Sequence, residues 1–293
     1  MTCLQACHHK ASCMSYNYGG KNRNCELISD GITNQCDSAK VIYSREWVFH
    51  QIRPVPTKQV KAELGDDPSN PGKTVSSGSY HIRVGDEISL IYCKMENTLE
   101  CGDGGWTLAL KINGSKGTFS YSSELWTNQK AYKPEEAKDL DDKETKSLFF
   151  SRAYITEGLC VGMKVHGHTR WLKIPWNRNN DLFGIFQRNS REGLKGIHFS
   201  DWTSLIDGSS MPENCSNSRK GGFNVEQENS RDGAKARIGL IARSGEPCNG
   251  DPDTKIGFGT SGTNNTCGNE YISNSDEASK VISIKAFCYI FVK

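Results

Sequence analysis

No apolar stretch in this chain reaches the roughly 20 residues that a membrane-spanning helix needs. The longest runs are ISLIY at 88–92 and AFCYIFV at 286–292. Charge of one sign is also lacking: 36 basic residues face 34 acidic ones, for a formal net charge of +2. That removes the field expected of a protein that binds nucleic acid or an anionic membrane. Catalytic text is missing as well. There is no G-x-S-x-G elbow, no H-E-x-x-H and no P-loop, and the one G-x-G-x-x-G, GFGTSG at 257–262, leads into no helical pattern. The glycines of IGFGTSG (256–262) are read as tight-turn residues and not as a phosphate cradle. The expectation is a protein that is not an enzyme. The opening MTCLQACHHK lacks the apolar core of a secretory signal.

Cysteine, by contrast, is abundant. Twelve are spread over the chain, at 3, 7, 13, 25, 36, 93, 101, 160, 215, 248, 267 and 288. An even number distributed in this way belongs to oxidising compartments. The expectation is a secreted, extracellular protein whose signal peptide lies outside this sequence, which is then a fragment. Sequons at Asn113, Asn214 and Asn264 mark candidate glycosylation sites. With 29 glycines and 35% hydrophobic residues, the chain suits strands and loops better than a helical bundle.

The first 25 residues hold four cysteines and the pair His8–His9, which raises zinc against disulfides. Structural zinc sites collect ligands in close pairs split by a longer span. The gaps here are C-x3-C-x5-C-x11-C, with no second pair. Thr2 is suited to cap a helix over LQACHHK, with Cys3 and Cys7 on one face and the histidines around the corner. SYNY (15–18) and CELI (25–28) read as strands around the turn-rich GGKNRN. Nested disulfides Cys3–Cys25 and Cys7–Cys13 would clamp that helix to the hairpin, each worth roughly 2–4 kcal/mol. The text CLQAC…C-x-SYNY…NRNCEL resembles the PAN/Apple module, in which two nested disulfides tie a central helix to a sheet. The resemblance implies a module over 1–50 that lacks its first strand.

Residues 51–78 carry four of the nine prolines among Gly, Ser and charged residues and read as a linker. Beyond it, YHIRV, ISLIYCKM and WTLALKI alternate as strands, and PEEAKDLDDKETKSLFF reads as a helix started by Pro134. GSYHIRV, IYCKM and GDGGWTL are similar to the entry of fibrinogen-like C-terminal domains, with Lys94 where that family often has Asp and an added Cys101. The resemblance implies a divergent fibrinogen-like domain over 79–293. The whole is then an α+β protein: a disulfide-stapled helix-on-sheet module followed by a larger strand- and loop-rich domain. The combination resembles secreted cnidarian proteins such as the uncharacterized skeletal organic matrix proteins of corals.

The strongest site candidate is CNGDPDTKIGFGTSGTNNTC, from Cys248 to Cys267. Calcium takes six to eight oxygens, and Asn249, Asp251 and Asp253 supply several on a loop stiffened by Pro252. A Cys248–Cys267 disulfide would close that loop. Fibrinogen-like domains hold calcium in a late, disulfide-flanked Asp loop, so the resemblance also selects Asp251 and Asp253 for a calcium cofactor. The alternative is an acidic surface turn. A second acidic run, Asp139, Asp141, Asp142 and Glu144, is interleaved with lysines and reads as a self-paired helix face. His166 and His168 read as exposed imidazoles around a turn at Gly167. Trp171, Trp176 and Asn177 form the one cluster of tryptophan and amide groups suited to a sugar, with core packing as the alternative for each tryptophan.

These readings converge on a non-catalytic extracellular-matrix or adhesion protein that binds protein or glycan partners, with a mineral surface as a further candidate. The competing reading is a calcium-dependent, lectin-like recognition protein.

Overall fold

The computed structural model describes residues 15–19, 24–28, 47–51, 77–84, 87–176, 178, 180–188, 192–194, 196–212, 219–227, 233–243, 251–275 and 278–293. The expected N-terminal helix, the disulfides Cys3–Cys25 and Cys7–Cys13, and most of the expected linker lie outside them.

Near the N-terminus, β1 (Ser15–Gly19), β2 (Asn24–Ile28) and β3 (Trp47–Gln51) form an antiparallel sheet in the order β2-β1-β3. The first two are the hairpin expected from SYNY and CELI, with Tyr16 opposite Leu27.

Two larger antiparallel sheets follow. The first contains β4 (Gly78–Val84), β5 (Glu87–Lys94), β6 (Trp106–Asn113), β8 (Gly158–Val165), β9 (His168–Pro175) and β16 (Phe287–Val292), in the order β4-β5-β6-β16-β8-β9. A short β7 (Thr145–Lys146) pairs with β6. The second sheet runs in chain order through β10 (Glu192–Gly193), β11 (Lys220–Val225), β12 (Ala236–Ala242), β13 (Thr254–Thr260), β14 (Cys267–Ser275) and β15 (Ala278–Lys285).

The chain is therefore mainly β, which corrects the α+β expectation: strand makes up 44% and helix 13%. The α-helices in view are α1 (Phe149–Arg152), α2 (Leu182–Gln187) and α3 (Phe199–Thr203). The helix expected over 134–150 breaks into a 3-10 turn at Pro134–Lys138, a loop, β7 and α1. Its aspartates are the reason. Asp139 accepts from the Asp141 N–H and Asp141 from the Lys143 N–H, side-chain bonds that compete with helix. The loop also turns Asp141 onto Lys111 of β6 and Asp142 onto Lys164 of β8. Burial opposes the Asp141 charge, but hydrogen bonds led by that from Lys111 outweigh it and hold the carboxyl well below the usual range.

The core draws on both large sheets and on the short helices, with Trp126, Phe149, Phe186 and Trp202 among its buried residues. FCYIFV is buried along its whole length as β16, as a strand covered on both faces should be. Cys288 points to the second sheet and is bonded to Cys267 of β14, with Cα atoms 6.4 Å apart. This overturns the expected Cys248–Cys267 pairing, since Cys267 is already committed. Loop closure along the sequence suggested that pairing, whereas the partner comes from a strand of the first sheet; Cys248 lies outside the described residues. On the opposite face of β16, Tyr289 donates to the Leu140 carbonyl at 3.0 Å. A second disulfide joins Cys101 to Cys160 of β8.

A fully buried Lys146 ties the 124–128 loop to β7. Its ammonium donates to the carbonyls of Leu125 (2.6 Å) and Asn128 (2.6 Å) and to Asn128 Oδ1 (3.0 Å), and stands over the Phe150 ring. Lys146→Met orphans these acceptors and is expected to cost about 1–3 kcal/mol in chemical denaturation. Burial pushes the Lys146 ammonium down to about 8, whereas lysines of the unfolded chain titrate near 10.4. The unfolded state thus binds more protons across that window, and this group's contribution to stability rises with pH from about 8 to about 10. Lys146→Met is expected to lack that increment; an identical pH profile in both proteins would contradict the assignment.

Candidate functional site

The β8–β9 hairpin builds a cleft lined by titratable side chains. Val165 faces His168, and His166 and Gly167 form the two-residue turn with φ of 50° and 84°. Both values are left-handed, as the twist-matched hairpin turn requires. Gly167 takes such a φ without cost, and the turn leaves His166 and His168 exposed, as expected from sequence.

Two residues on, the Arg170 guanidinium donates to the Ser204 carbonyl at 3.1 Å and pairs with Asp207. Both partners come from the segment after α3. Leu205 and Ile206 in that segment are buried in the core, which fixes the position of Asp207. The cleft has an aliphatic floor of Val165, Leu205 and Ile206 and a rim of His166, His168, Arg170 and Asp207. It encloses about 80 Å³, well below the roughly 300–1,000 Å³ of a small-molecule pocket. Asp207 is committed to Arg170, and the lining includes no hydroxyl, thiol or amine nucleophile. The arrangement suits recognition of a small protruding group that is apolar at its tip and polar at its base.

The described residues hold no group of three His, Cys, Asp or Glu placed for a metal. Asp251 is exposed and Asp253 half-buried; Asn249 lies outside the described residues. Three oxygens of this segment already have donors. The Asp251 carbonyl accepts from Arg243, the Pro252 carbonyl from Ala234 N–H, and Asp253 Oδ1 from Thr254.

Trp171 and Trp176 lie in different environments. Trp171 is half-buried on the outer face of the first sheet, against Gly162, where any Cβ would come within 2.5 Å of the ring. It packs on Tyr289 and Phe291, with the Lys94 ammonium 4.4 Å above its ring. Burial lowers the proton affinity of Lys94. Trp176 is a core residue, edge-on to Phe223 at 4.9 Å and only 6% exposed. Asn177 lies outside the described residues. Of the sequons, Asn264 is exposed, with Oδ1 accepting from Lys285. Asn113 is half-buried at the end of β6, with Oδ1 accepting from Ser115 N–H, and Asn214 lies outside the described residues.

Sequence reasoning found the two imidazoles but not Arg170 or Asp207. The latter pair forms only when the post-α3 segment packs beneath the hairpin, and no local spacing signals it.

The contrast between the tryptophans is testable. Trp176→Ala is expected to cost about 3–5 kcal/mol in equilibrium denaturation, and Trp171→Ala markedly less. The reverse order would contradict the placement of Trp176 in the core.

No family model matches the chain, and neither a curated protein nor a solved structure matches it.

Proposed function

We propose that this is a non-catalytic, secreted matrix or adhesion protein that holds protein or glycan partners, with the hairpin cleft as one contact site. The observation that carries the reading is the pair of disulfides, Cys101–Cys160 and Cys267–Cys288, whose four cysteines are wholly buried. Such cross-links between core elements are usual where thiols are oxidised and rare where glutathione keeps them reduced. The small cleft, with a guanidinium–carboxylate pair and two imidazoles over aliphatic side chains, favours holding a group over transforming it. A mineralised matrix, raised by the resemblance to skeletal matrix proteins, is the narrower form of the same proposal.

The test is retention on immobilised extracellular-matrix proteins and polysaccharides. The wild-type protein is expected to bind at least one surface, and Arg170→Ala to weaken that binding about tenfold, equivalent to 1.4 kcal/mol. Retention on none, or retention unchanged by Arg170→Ala and His168→Ala, would contradict the role of the cleft.

A further inference from the structure

Two of the sequons converge on one corner of the fold. Asn264 stands in the turn between β13 and β14, and Asn113 ends β6. The Thr266 N–H donates to the Gly114 carbonyl at 2.9 Å, and the Thr266 hydroxyl lies 3.5 Å from the Asn113 carbonyl. The base of the turn is firmly built. The Thr260 N–H donates to the Thr266 carbonyl at 3.0 Å, and the Ser261 carbonyl accepts from the buried Lys255 ammonium at 2.7 Å. Asn265 is 4% exposed and donates to the Asn269 carbonyl at 3.0 Å and to the Ser283 hydroxyl at 3.1 Å. On that base Gly262, Thr263 and Asn264 are all exposed.

The two asparagines differ in what surrounds them. Asn264 uses its amide oxygen, which accepts from Lys285 at 2.7 Å. Asn113 is half-buried opposite Phe287 in the β6–β16 register, its N–H donates to Glu144 at 3.1 Å, and its Oδ1 accepts from Ser115. Neither Nδ2 makes a hydrogen bond among the described residues, so position decides between them. A bulky oligosaccharide grows into solvent from Asn264, whereas at Asn113 it meets a half-buried strand end beside the 139–144 loop.

The hydroxyl of the Asn264 sequon sets the timing. A sequon is read through its asparagine amide and the hydroxyl two residues on, which must reach one enzyme together. Thr266 is 0% exposed in the folded chain, with its hydroxyl donating to the Lys116 carbonyl at 2.6 Å. The next residue, Cys267, is bonded to Cys288 of β16. Only a chain in which this corner has not yet formed presents both groups.

We propose that Asn264 carries an N-linked glycan, that Asn113 is bare, and that packing of Thr266 beside the Cys267–Cys288 disulfide ends the interval in which transfer occurs. The donor is a lipid-diphosphate-linked oligosaccharide. Nδ2 bonds to C1 of its first sugar, the bond from C1 to the diphosphate oxygen breaks, and one Nδ2 proton is lost. The amide carbonyl is kept, so Lys285 still has its acceptor and orients the first sugar. This rests on the reading of the chain as secreted, where such donors are met.

The experiment has two arms. In the first, the native protein is digested, treated with a peptide N-glycosidase in heavy-oxygen water and mapped by mass spectrometry. Heavy-oxygen label is expected at Asn264 and none at Asn113. In the second, unglycosylated full chain is offered to an oligosaccharyltransferase with a lipid-diphosphate-linked oligosaccharide. Transfer to Asn264 is expected in the reduced, carboxymethylated chain, is lost in Asn264→Gln, and is absent from the folded, oxidised chain. Label at Asn113, no label at Asn264, or transfer to the oxidised chain as efficient as to the unfolded one overturns the proposal. A bare Asn264 in a protein whose Cys267 and Cys288 are linked removes the glycan and leaves the secreted reading standing. Native cysteines that react as thiols remove both.

Discussion

Strand β16 hydrogen-bonds to β6 on one side and β8 on the other, and its Cys288 is bonded to Cys267 of the second sheet. Most of the fold hangs on that placement. β16 fills the middle of the first sheet, so that sheet is complete only once this strand is in place. Alternation along β16 then divides the molecule: Cys288, Ile290 and Val292 on one face, Phe287, Tyr289 and Phe291 on the other. In the first set, Cys288 is bonded to the second sheet through Cys267. The second set supports the outer face, where Tyr289 anchors the 139–142 loop and Phe291 supports Trp171.

Long segments without regular structure are held by buried cations. Lys111 reaches the Asp139 carbonyl and the Asp141 carboxylate, Lys146 gathers three oxygens from 125–128, and Lys255 donates to the Ser261 carbonyl while facing Glu270. A buried charge is costly unless its hydrogens are satisfied. Each lysine therefore fixes the loop that supplies its oxygens. Asp139 and Asp141 of the acidic run at 139–144 are used in this way.

Much of this was legible in the sequence wherever structure is local. Period-2 alternation located β4, β5 and β6, and the turn chemistry of VHGH located the hairpin tip with both imidazoles exposed. Where partners are distant, the sequence was silent or misleading. PEEAKDLDDKETKSLFF has helical propensity at its ends, but Asp139 and Asp141 bond their neighbours' backbone and distant lysines instead. Cys267 looked like the end of a loop begun at Cys248, yet its partner belongs to the opposite sheet. Trp176 stood beside amide residues that suggest a sugar, while its ring fills the space beside Phe223. The cleft needed Arg170 and Asp207 brought together by tertiary packing.

The most direct test of the account is disulfide mapping of the native protein by non-reducing digestion and mass spectrometry. The account predicts linked peptides joining Cys101 to Cys160 and Cys267 to Cys288. Recovery of Cys267 linked to Cys248, or of Cys267 and Cys288 as thiols that react before any reductant is added, would contradict it.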